Sequence, residues 1–119
     1  MKTKLISAIL CSLFLVPLAT MAGTKPTDTV LKQWLLGYWR GPRYVFLYTP
    51  DGTYRSIGRD GEKMHWDIKN GTYYEDGSSC QIVTLTEKKF VYRHPGGETV
   101  SRTKMSKEEG ELFKKQTGE

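Results

Sequence analysis

From residue 38 onward, apolar and aromatic residues come in short runs of Tyr, Val, Ile, Phe and Trp, separated by turn pairs about every 8 to 12 residues. The turns are Pro50-Asp51-Gly52, Asp60-Gly61, Asn70-Gly71, Asp76-Gly77 and Pro95-Gly96-Gly97. Asn-Gly and Asp-Gly suit tight hairpins, whose central residues need positive φ. The pattern predicts strands at 43–48, 53–58, 62–68, 72–75, 80–86, 89–93 and 98–104, with Trp39 in a short extra one. Connections this short join neighbours antiparallel. The expected fold is therefore all-β, a small antiparallel up-and-down meander or barrel of seven to eight strands. Gly52-Thr53-Tyr54 recurs as Gly71-Thr72-Tyr73, an echo of hairpin grammar rather than a duplicated unit.

Alternation assigns the faces. At 62–68, Met64, Trp66 and Ile68 share one face and point inward, which turns His65 outward. Phe90 and Tyr92 form a similar aromatic face. At 43–48, Tyr44, Phe46 and Tyr48 alternate with Val45 and Leu47, so both faces are apolar and both require cover. Either a short N-terminal helix covers the second face, or that face is a contact surface for a partner or a second subunit. Asp28 is placed to cap the helix, Leu31, Trp34 and Leu35 recur at helical spacing, and Gly37 would end it. At the other end, Ser106 and Glu109 have the form of a capping box opening a short C-terminal helix through about Gln116. Gly110 weakens that helix, and Leu112 and Phe113 are its only large apolar residues, so it either docks on the barrel or frays.

Composition adds location. Residues 1–22 read as a secretory signal: Lys2 and Lys4 precede an apolar run broken by Pro17, and Thr20-Met21-Ala22 forms a small-residue cleavage site. The run is short for a bilayer span, so no transmembrane segment is expected after cleavage, and residues 23–119 form one domain in the periplasm or outside the cell. Loss of Lys2 and Lys4 lowers the net charge of +5 by two, too mild and scattered a balance for nucleic acid. Cys11 leaves with the signal, and Cys80 remains alone. It is either a small buried thiol on a strand, the site of a disulfide joining two copies as a dimer, or a redox residue.

Taken together, Gly37-Tyr38-Trp39 after a short helix, Phe46 leading to Asp51-Gly52-Thr53-Tyr54, and Trp66-Asp67-Ile68-Lys69-Asn70-Gly71 resemble the lipocalin-like (calycin-type) domains of small exported bacterial proteins. The resemblance covers residues 37–104. It implies that a first-strand tryptophan, Trp39 by motif, closes one barrel end, with a basic residue near the last strand across it, for which Arg102 is the candidate by placement. The chain is short for a lipocalin, and Cys80 alone cannot form the internal disulfide. A barrel of about eight strands is either filled by side chains or holds one small ligand. Phe46, Tyr54, Trp66, Phe90 and Tyr92 are the candidate lining, and their bulk favours filling.

Other chemistry is sparse. His65, His94 and Cys80 stand on different elements and do not read as a metal site, and no serine sits in a nucleophile elbow. Asn70-Gly71-Thr72 fits a glycosylation acceptor but serves as a hairpin turn. Arg40, Arg43, Arg55 and Arg59 cluster with Tyr44 around the first hairpin, either as a solvated rim or as a partner surface, since Arg and Tyr are favoured at interfaces. The expected function is an exported, non-enzymatic binding module without cofactor or metal, holding a small apolar or amphipathic molecule in the barrel or at its rim. The alternative is a periplasmic protein-binding module, an inhibitor or envelope assembly partner, acting through the Arg and Tyr surface.

Overall fold

The computed structural model describes residues 25–58 and 62–118. The signal reading of residues 1–22, Cys11 and the Arg59 candidate lie outside them. Helix α1 (Asp28–Leu35) precedes β1 (Gly37–Arg40), β2 (Val45–Thr49), β3 (Thr53–Ile57), β4 (Met64–Lys69), β5 (Thr72–Glu75), β6 (Ser78–Leu85), β7 (Lys89–Arg93) and β8 (Thr99–Lys104), and helix α2 (Lys107–Gln116) follows. Each strand pairs antiparallel with its sequence neighbours, and β8 returns to β1, closing an eight-strand up-and-down barrel. Among the described residues no helix is long and apolar enough to cross a membrane.

The turn chemistry acts as predicted at Asn70-Gly71 and Asp76-Gly77, whereas the Asp60-Gly61 turn lies outside the described residues. Asn70 and Asp76 have φ of 52° and 49°, and Gly71 and Gly77 have φ of 73° and 87°, so both central residues of each hairpin are left-handed. The α1 cap differs from expectation: Thr27 is the N-cap and accepts from Val30 N. The Asp28 carboxylate instead accepts from the backbone N–H groups of Asn70 and Gly71, 2.6 and 2.9 Å away, and so clamps α1 to the β4–β5 turn.

Inward alternation produces an aromatic column along the axis. Trp39, Tyr48, Tyr73, Phe90 and Tyr92 are all fully buried. Tyr48 stacks on Tyr54 at 4.8 Å, Tyr73 meets Phe90 edge-on at 5.0 Å, and Phe90 stacks on Tyr92 at 4.8 Å. Each such ring contributes about 2–3 kcal/mol by burial, and each ring pair about 0.5–1.5 kcal/mol more.

The second apolar face of β2 is covered, but by α2 rather than α1. Tyr38, Val45, Ile57 and Met105 form a separate outer cluster against which Leu47 and Phe113 pack. Gly110 is the reason: a Cβ there would lie 2.1 Å from Tyr38 Cγ, so only glycine lets α2 rest on that ring. The Ser106–Glu109 capping box is present, and Tyr38 Oη donates to Glu111. The helix therefore docks through Gly110 and Phe113, leaving Leu112 exposed. Helix α1 packs instead on β4 and β6 at the end of the barrel where β1 begins.

Candidate functional site

The two barrel ends are built from different side chains. At the α1 end, Trp39 Nε1 donates to Leu35 O at 2.7 Å. The cation over the Trp39 ring is Lys104, with Nζ 4.4 Å from the centroid, and not Arg102. Both basic residues face inward, but Trp39 pairs with Lys104, which fixes the choice. Lys104 Nζ also donates to the carbonyls of Trp34, at 2.7 Å, and Leu36, satisfying the last turn of α1. Burial pulls its pKa down to about 8.

At the opposite end, inward positions of β2, β5, β7 and β8 bring a polar network into the axis. The Glu75 carboxylate accepts from Tyr92 Oη at 2.8 Å and Tyr73 Oη at 3.1 Å. Tyr73 and Tyr48 hydroxyls are hydrogen-bonded at 2.9 Å, and Arg102 Nη1 donates to Tyr48 Oη. Burial pushes the Tyr48 hydroxyl up to about 12, with the Arg102 charge opposing it, and raises Tyr54, Tyr73 and Tyr92 as well. At pH 7 these hydroxyls are neutral donors and acceptors, so they link the carboxylate to the guanidinium without adding charge.

The same end joins Cys80 and His94. Cys80 Sγ is 3.6 Å from His94 Nδ1, and His94 Nε2 is 3.6 Å from Glu75. In sequence these residues stand on different elements, Cys80 on β6 and His94 just after β7. Hairpin register would have joined them, because positions 80 and 94 lie one step beyond the Gln81↔Arg93 pair. Likewise, alternation from the buried Tyr73 turns Glu75 inward. Cys80 is only 1% exposed and burial raises its thiol pKa, so the thiolate needed for nucleophilic or redox chemistry is disfavoured. Among the described residues no group of three or more His, Cys or carboxylate side chains is placed to hold a metal ion.

Arg102 stands out electrostatically. It is 6% exposed, its guanidinium carbon lies 4.0 Å from the Phe46 centroid and 5.3 Å from that of Tyr92, and its Nε has no hydrogen-bond partner. Among the described residues, Tyr48 Oη is the acceptor it reaches and no carboxylate pairs with it directly. An incompletely paired buried cation is unfavourable unless a further acceptor arrives. Arg102 and Phe46 help to line a rim cleft of about 460 Å³ between the β1–β2 loop, with Arg43 and Tyr44, and the first half of β8, with Val100 and Ser101. A wider groove of about 680 Å³ beside α1, lined by Pro26, Leu31 and Val83 among others, contains no buried charge among the described residues.

The candidate residues separate accordingly. Tyr54, Trp66, Phe90 and Tyr92 share one core cluster, and Phe46 packs against it from the cleft. They fill the axis with their own rings. Of the proposed partner surface, Arg43 and Tyr44 line the rim cleft and Arg40 is exposed. Arg55 lies with Asp51 and Lys63 in a different depression, so the arginines do not make one patch. No family model, no curated protein and no solved structure matches the chain.

Proposed function

We propose that the protein is an exported, non-enzymatic binding module of lipocalin-like design that works at its rim, through the cleft of Arg43, Tyr44, Phe46, Val100 and Arg102, and carries nothing along its axis. The observation that carries this reading is the division of space. The axis is occupied by Tyr48, Tyr73, Phe90 and Tyr92 in mutual ring contact, whereas the rim offers about 460 Å³ with a partly unsatisfied guanidinium in its wall. Aromatic and arginine side chains around a concave apolar site form the composition that binding surfaces favour. The raised thiol of Cys80 supports the non-enzymatic reading, and the leader-like residues 1–22 support export.

A photoreactive phenylalanine analogue at position 44, and in a control at Thr84, tests the reading in the producing cell. Irradiation should yield a defined adduct from position 44 and none from position 84. Equal labelling at both positions, or a small molecule that native mass spectrometry releases only when the barrel is unfolded, would contradict it.

A further inference from the structure

The wall of the barrel is complete on one side of β8 and incomplete on the other. Toward β7, β8 is paired along five positions, from Phe90↔Arg102 and Lys89↔Thr103 up to Arg93↔Thr99. Toward β1 it is paired at only two, Trp39↔Lys104 and Arg40↔Thr103, because the chain leaves β1 at Gly41, whose N–H turns back to Tyr44 O at 2.8 Å. Among the described residues, Thr99 to Arg102 therefore have no strand beside them on that side.

Peptide groups along a strand alternate in direction, and two hydrogen bonds fix the phase here. Lys104 N donates to Lys88 O, so even positions of β8 face β7. Met105 N donates to Tyr38 O, so odd positions face β1. The N–H and C=O groups of Thr99 and Ser101 consequently point into the rim cleft, which Thr99 and Ser101 themselves line. An open run of this kind is a template for an added strand.

Charge in the cleft selects what such a strand carries. A strand laid against Thr99–Ser101 would turn alternate side chains toward the axis, where Phe46 and Arg102 lie, and the others toward Arg43 and solvent. The cation facing the axis is more than nine-tenths buried with an unused Nε donor. Glu75 reaches it only through tyrosine hydroxyls. Glu98, at the outer end of the cleft, is the acidic side chain on its walls, against two arginines. A carboxylate on the incoming strand would complete the guanidinium, and a lysine there would be repelled.

Resting on the rim reading above, we infer that the cleft takes an extended peptide segment of a partner protein, added as a short strand to the Thr99–Ser101 edge, with an acidic side chain directed at Arg102. This assigns the partner's chemistry: β-forming, acidic at one inward position, and free of proline where the edge requires an N–H.

Isotope-labelled protein, purified from cells producing the full chain, is titrated with acetyl-Thr-Val-Thr-Glu-Thr-Val-amide. Two control peptides carry Gln for Glu or Pro for the central Thr. The acidic peptide should shift the Thr99 and Ser101 amide signals, slow their hydrogen exchange at least tenfold, and move the Arg102 Nε–H signal. The Gln peptide should bind at least tenfold more weakly, and the Pro peptide should leave Thr99 and Ser101 unchanged. In Arg102→Met the Glu and Gln peptides should become equivalent, and if that variant does not fold, the Arg102 Nε–H signal of the unaltered protein decides the point. Equal binding of the Glu and Gln peptides to the unaltered protein overturns the inference. So does protection of Thr99 and Ser101 without peptide in a concentration-dependent dimer, which would give the edge to a second copy. Failure of all three peptides while the position-44 adduct persists overturns strand addition and leaves the rim reading standing. Failure of both overturns both.

Discussion

The two ends of this barrel use the same kinds of residue to opposite effect. At the α1 end, Lys104 has three satisfied relationships: two helix carbonyls and the face of Trp39. At the far end, Arg102 has one hydroxyl acceptor, aromatic faces and an unpartnered Nε. The first cation ends a helix and closes a wall. The second lies beside a gap in the wall, held in place by rings more than by counter-charge. A basic residue inside a small barrel is therefore not one kind of feature. Whether its donors are used up by the protein's own carbonyls decides whether it is closure or recognition.

The closed end is the more sensitive to substitution. Trp39→Ala removes a fully buried ring, its bond to Leu35 O and the surface beneath Lys104, and should cost about 3–5 kcal/mol in urea unfolding. A loss below about 1 kcal/mol would show that this end is not the keystone.

Alkaline pH tests the tyrosine network of the open end. Tyr48, Tyr54, Tyr73 and Tyr92 hold their protons more tightly folded than unfolded, where a tyrosine ionises near 10. A raised folded pKa gives stability that is whole below pH 10 and lost as pH rises beyond it. Tyr48 alone should account for about 2–3 kcal/mol by pH 12. Lys104 has the opposite sign, since its lowered folded pKa adds stability between pH 8 and the ordinary lysine value of 10.5. Urea midpoints should thus hold or rise slightly from pH 8 to 10 and then fall steeply, and midpoints unchanged to pH 12 would contradict the buried hydroxyls.

Two substitutions on the network separate a charge from its acceptor. Tyr48→Phe leaves Arg102 without its acceptor and should cost about 1–3 kcal/mol. Arg102→Met removes the charge and keeps an apolar filling, and should cost less than Tyr48→Phe or nothing. The reverse order would mean that Arg102 is structural closure after all. The smallest expected effect is at the rim: Tyr44→Ala, in an exposed position, should change stability by no more than about 0.5 kcal/mol.

Much of the fold was legible because a period of two is hard to disguise. Trp66, Phe90 and Tyr92 were readable as inward from their neighbours, and Asn70-Gly71 and Asp76-Gly77 declared their turns. Which helix covers β2 was not legible, because the decisive residue was Gly110, which propensity reads as a weakness and which the Tyr38 ring turns into a contact. The choice between Arg102 and Lys104 required the β1–β8 register, a pairing between the two ends of the barrel sequence that no turn length encodes. The rim cleft was half visible, as Arg43 and Tyr44, but its other wall is an absent pairing, and sequence patterns mark strands rather than the gaps between them.

Residue-resolved hydrogen exchange along β8 tests whether the barrel keeps an open edge. The amides of Val100 and Arg102, turned toward β7, should be protected, and those of Thr99 and Ser101 should exchange at least tenfold faster. Uniform protection from 99 through 102 would mean that the wall is closed there and that the barrel has no working edge.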